Sequence, residues 1–169
     1  MRRRIAMGLL ALSVMLSVSG CTMRGSVAFT INGVITTNSQ VSMVVDGCHS
    51  VVDPSQTFNV SGLVDDMIRA NLAQKIAVIN NVEYTDDDLL KPIQDGSLGT
   101  VLETMLPDPY CGQLALGLAL EALVIFQISK PAYTAMVSQF TITVNPRFGV
   151  WNPITLAVDG SGSLSKADH

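Results

Sequence analysis

The hydrophobic rhythm of the chain changes several times along its length. Val27, Phe29 and Ile31 alternate with Ala28 and Thr30, the two-residue period of a strand. Val41-Ser42-Met43-Val44-Val45 reads as a second strand. The pair predicts an antiparallel hairpin, with Gly33 and Thr36-Thr37-Asn38-Ser39 in its loop and Asp46-Gly47 as the turn that ends it. Toward the other end, Phe140, Ile142 and Val144 alternate with Thr141 and Thr143, and Pro146 closes that strand. Ile154, Leu156 and Val158 alternate with Thr155 and Ala157, which predicts a last strand.

Between these runs the spacing lengthens to three and four. Leu63, Val64, Met67, Ile68 and Leu72 predict a helix over 62–74, with Ser61 as its N-cap and Asp65 and Asp66 favourably placed on its dipole. Lys75 to Ile79 either continues that helix or forms a short strand, and Asn80-Asn81 breaks it. Thr85 caps a further helix, with Asp88 at the capping-box position and Pro92 limiting its length. Leu98, Val101, Leu102, Met105 and Leu106 suggest another helical piece. Pro107 to Gly112 reads as a rigid loop.

Leu114 to Ile128 is the most apolar stretch after the first twenty residues and shows no single clean face. It is either a core helix or a membrane span. Glu121 at its centre opposes the span, because a carboxylate there costs about 3 kcal/mol on insertion scales. Lys130-Pro131 ends it. Strands near both ends with helices between them predict an α+β fold: a small antiparallel sheet packed by two to four helices. One domain is expected over 21–159, with a flexible polar tail over 160–169.

The first twenty residues follow a different plan. Arg2-Arg3-Arg4 is a basic start, Ile5 to Val18 is uncharged and apolar, and Ser19-Gly20 are small. This is the layout of a cleaved signal peptide over 1–20, and it is shorter than the ~20 apolar residues a span needs. Val18-Ser19-Gly20-Cys21 resembles the bacterial lipobox. That resemblance implies cleavage between Gly20 and Cys21 and lipidation of Cys21, with acyl chains such as palmitate holding the protein to the extracytoplasmic face of the cell membrane. Met23 to Ser26 leaves almost no tether before the first strand.

Composition narrows the partners. The 169 residues are 48% hydrophobic and only 14% charged, too apolar for a disordered chain. Without the leader there are 7 basic against 14 acidic residues, a balance of −7. Nucleic acid is excluded as a partner on that balance, as is electrostatic attraction to an anionic bilayer. With Cys21 assigned to lipid, Cys48 and Cys111 are left as a pair in an exported chain, bridged or present as two buried thiols.

Candidate chemistry is sparse, and no catalytic residue, metal ligand set or cofactor site is expected. Asp46, Cys48, His49 and Ser50 are sequence neighbours, whereas a nucleophile, base and orienting group must meet in space. Asp86-Asp87-Asp88 lacks the spaced oxygen ligands, glycine and distal Glu of a calcium loop. No zinc spacing and no phosphate-binding glycine loop is present. Asn59-Val60-Ser61 matches a glycosylation acceptor pattern, and Phe148 and Trp151 flank a Pro-rich loop that could cap a core edge or touch a partner.

Cys21-Thr22-Met23-Arg24-Gly25-Ser26-Val27-Ala28-Phe29-Thr30-Ile31 resembles the start of the mature LppM-like actinobacterial lipoproteins, and Val82-Glu83-Tyr84-Thr85-Asp86 resembles a later acidic, Tyr-containing extended segment of theirs. The resemblance implies a small α+β envelope domain that binds glycolipid. Those proteins commonly end in a transmembrane helix, whereas 161–169 is polar here. The expected function is a non-enzymatic, membrane-anchored module for a lipid or glycolipid. The alternative is an assembly lipoprotein that docks on another envelope protein.

Overall fold

A computed structural model describes residues 26–51 and 59–160. The lipobox, Cys21 and the polar tail from 161 lie outside the described residues. The fold is α+β, with six helices among the described residues where two to four were expected.

Strand β1 (Val27–Ile31) turns at Asn32-Gly33 into β2 (Val34–Thr37). Both turn residues have positive φ, 49° and 79°, as a two-residue hairpin of the right twist requires. The hairpin is therefore tighter than expected, and the second strand is 34–37 rather than 41–45. β1 also pairs antiparallel with β3 (Ile142–Val144), giving the order β2-β1-β3. A register shift between Val27 and Phe29 turns Ala28 inward beside Phe29 and Ile31, so burial departs from strict alternation.

The segment expected as a strand at 41–45 lies inside helix α1 (Asn38–Val51). Thr37 and Gln40 explain why. The Gln40 amide donates to Thr37 Oγ1 at 3.3 Å, and the Thr37 amide donates to Gln40 Oε1 at 2.8 Å. That reciprocal pair is a capping box. Val41, Val44, Val45 and Cys48 then recur at three and four, and all four are wholly or partly buried. Asp46-Gly47 is mid-helix rather than a turn.

Helix α2 (Val60–Ile79) runs through Lys75–Ile79 without a break. Its N-cap is Asn59 rather than Ser61: the Asn59 side chain accepts from the Ser61 amide at 3.0 Å. Helix α3 (Asp86–Gln94) begins at the Thr85/Asp88 capping box as expected, and it accommodates Pro92 near its end. Helix α4 (Thr100–Met105) follows.

Helix α5 (Pro109–Ile128) starts earlier than its apolar run, so 107–112 is not a loop throughout. Pro109 suits the first turn of a helix, where its missing N–H is not needed. Asp108 accepts from the amides of Tyr110 and Cys111, each at 2.8 Å. α5 is long and apolar enough to cross a membrane, yet here it is the hub of the fold. It touches each of the other five helices, most extensively α2.

Lys130-Pro131 does not simply end α5. It opens a short helix, α6 (Lys130–Val137), which the sequence reading did not anticipate. Of the last strand expected over 154–158, only Ala157 and Val158 are extended: β4 (Val150–Asn152) and β5 (Ala157–Asp159) pair antiparallel as a separate hairpin, with 153–156 as its turn. Ile154 is 88% exposed in its turn, and Leu156 has a positive φ of 55°.

Candidate functional site: a cleft with a paired-charge floor

Helices α2 and α5 approach closely where Gly117 faces Ala70. A Cβ on Gly117 would lie 2.5 Å from Ala70 Cβ, so only glycine permits this separation. The close approach sets Arg69 of α2 against Glu121 of α5. Arg69 Nη2 donates to Glu121 Oε2 at 2.6 Å and Nε donates to Oε1 at 3.2 Å, a two-pronged carboxylate pair. The third prong, Nη1, donates to Asp66 Oδ1 at 3.3 Å. From α6, the Tyr133 hydroxyl donates to Glu121 Oε1 at 3.2 Å. Glu121 is the buried charged residue of the described core, and three hydrogen bonds satisfy it.

This cluster is the floor of a half-open cleft of about 300 Å³. Leu72, Ile125 and Val137 line its helical side, and Trp151, Thr155, Leu156 and Ala157 of the β4–β5 hairpin form the opposite wall. Asp65 ties the hairpin down, because its Oδ1 accepts from the Val158 amide at 2.8 Å. Thr134 and the exposed Lys130 complete the lining.

The surroundings set the protonation states. Burial raises Asp65 above the usual carboxylate range, opposed by the Val158 hydrogen bond and Arg69. Burial likewise raises Asp66 to about 6, against the attraction of Arg69. For Arg69, burial works against the charge, but the hydrogen bonds and proximity of Glu121 and Asp66 outweigh it, and the guanidinium stays protonated. Burial and then the Glu121 charge push the Tyr133 hydroxyl far up, so it remains a neutral donor. The floor thus consists of a closed ion pair and a neutral phenol.

The residues singled out from sequence fall elsewhere. Cys48 and Cys111 are bonded to each other across 63 residues, joining α1 to the first turn of α5. Cys48 is therefore no thiol nucleophile, and Ser50 donates to the Gly47 carbonyl at 2.6 Å on the same helix. Asp86, Asp87 and Asp88 occupy the first turn of α3, and no group of three metal-ligating side chains forms among the described residues. The Asn59 side chain is engaged as a helix cap. Phe148 is buried with the Arg147 guanidinium 4.3 Å from its ring centre, while Trp151 belongs to the cleft wall. The sequence reading missed Arg69, Tyr133 and Asp65 as a site and treated Glu121 only as an obstacle to a span. The available signal was a lone carboxylate centred in an apolar helix, which demands a distant partner.

Compared with protein-family models, curated proteins and solved structures, the chain matches none.

Proposed function

We propose that the chain is a membrane-anchored extracytoplasmic lipoprotein whose folded domain is a non-enzymatic binding module for a lipid or glycolipid. The cleft carries this reading. Pockets that bind small molecules are concave, largely apolar and supplied with a few fixed polar groups, and they begin at about 300 Å³. This one has that size, aliphatic and indole walls, and a hydrogen-bonded charged floor. The Cys48–Cys111 bond suits an oxidising compartment outside the cytoplasm. Anchoring falls to Cys21, with acyl chains contributing about 0.8 kcal/mol per buried methylene.

Native mass spectrometry of the protein extracted from its own membrane tests the reading. A co-purifying lipid that is lost on obstructing the cleft with Ala157→Trp is the expected result, and a ligand-free protein counts against it. The docking alternative draws on β2, an edge strand whose Val34 and Ile35 are 60% and 55% exposed. On that reading a partner protein, and no lipid, accompanies the chain.

A further inference from the structure

The charges around the cleft are balanced before any ligand arrives. Its lining holds two acidic groups, Asp65 and Glu121, and two basic ones, Arg69 and Lys130. Arg69 is already committed, with Nε and Nη2 on Glu121 and Nη1 on Asp66. A phosphate could reach the guanidinium only by displacing Glu121, leaving a carboxylate that is 5% exposed without its counter-charge. It would also face Asp65. Lys130 is exposed, where water screens most of its attraction. An anionic ligand therefore loses more at this floor than it gains.

An uncharged group with hydroxyls meets no such opposition. The lining residues Thr134 and Thr155 carry hydroxyls, Asp65 has a second oxygen beyond the one that holds Val158, and Trp151 carries an indole N–H. The half-buried Trp151 ring beside Leu156 and Ala157 offers a flat apolar surface. We infer that the cleft takes a hydroxyl-rich group with no negative charge and one apolar face, the chemistry of a neutral sugar or polyol head, and discriminates against phosphate heads. This inference rests on the binding-module reading and specifies what part of a ligand that module holds.

Trp151 is the only tryptophan in the chain, so its fluorescence reports on this wall. The full-length protein in phosphatidylcholine vesicles is titrated with octyl glucoside, octyl phosphate and free glucose, each below any micelle-forming concentration. Octyl glucoside should shift the emission with an affinity at least about tenfold tighter than octyl phosphate. An equal shift by glucose identifies a free sugar as the source, and a shift that needs the chain identifies a lipid-borne head; both uphold the class. Tighter binding of octyl phosphate overturns the inference while leaving the module standing. No shift with any probe overturns the module itself. Glu121→Gln, checked for a cooperative melt, releases Arg69 from its carboxylate and should move the preference at least about tenfold toward octyl phosphate. An unchanged preference in the folded variant also overturns the inference. The wild-type titrations decide the question if that variant does not fold.

Discussion

Gly47 of α1 leaves the space that the Asp108 carboxylate occupies. A Cβ at 47 would overlap Asp108 Oδ1, the atom that accepts from the Tyr110 and Cys111 amides to cap α5. Cys48, next to Gly47, is covalently joined to Cys111 in the turn that Asp108 caps, so α1 cannot back away. Gly47→Ala should therefore swing the cap aside and cost about 1–2 kcal/mol, the range of a lost N-cap. Asp108→Ala should cost a similar amount, and the double variant should cost little more than either single one. Urea unfolding of the three proteins checks this; fully additive losses would mean that the two residues are not coupled.

The Cys48–Cys111 bond closes a 63-residue separation. Cross-links over such loops contribute about 4 kcal/mol in the chain-entropy account, and removal of native ones costs 2–5 kcal/mol. Replacing both cysteines by serine should lower the melting temperature by several degrees or more while leaving the α5 contacts with α2 in place. Calorimetry with and without reductant should give matching losses for the wild type.

Removing the buried carboxylate has a different signature. Glu121→Ala leaves Arg69 facing a cavity and Tyr133 without its acceptor. The expected loss is about 3 kcal/mol, the low end for broken buried pairs because the Arg69 side chain is 40% exposed. Arg69→Met combined with Glu121→Met should recover most of it, since an apolar pair of similar volume avoids the desolvation of both charges. Failure of the double variant to recover would show that the ion pair is a net stabiliser.

Asp66 supplies a pH dependence. Its folded pKa is raised from 3.8 to about 6, so between those values the folded state binds protons that the unfolded state has released. Stability from this group is greatest below pH 4, falls as the pH rises through 6, and is flat beyond. Its side chain is 38% exposed, so solvent screening reduces the effect to about 1 kcal/mol. Asp66→Asn should raise stability at pH 7 by that amount and leave it unchanged at pH 4. Melts at the two pH values test the sign, and a gain at pH 4 instead would refute it.

Parts of this fold were legible because they are local. The Thr85/Asp88 box announces α3 through residues three apart. The same arrangement in Thr37 and Gln40 announces α1, but Val41, Val44 and Val45 are β-branched and read as strand until their spacing to Cys48 is considered. Asn32-Gly33 is a strong hairpin signal that fixes the register of the first two strands. Cys48 and Cys111 were legible as a pair by composition, on the expectation that Cys21 carries lipid. The cleft was not legible. Arg69 and Glu121 are 52 residues apart, and their meeting depends on Gly117 fitting against Ala70, which no local pattern reveals. Pro131 misled for a simpler reason: it ends one helix and, at the start of the next, is well tolerated.

The central place of β1 also sets an order of events. Its hydrogen bonds on one side go to β2, a few residues onward, but on the other they go to β3, more than a hundred residues later. Thr141 donates its amide to Asn32 Oδ1, and the Asn145 side chain donates to the Val27 carbonyl across 118 positions. A chain that emerges N-terminus first must carry β1 with one bare edge until β3 has been delivered. Non-local pairing of this kind slows folding and leaves an interval in which the open edge invites another strand. Anything that shields that edge until β3 arrives would serve this protein more than one whose sheet closes early.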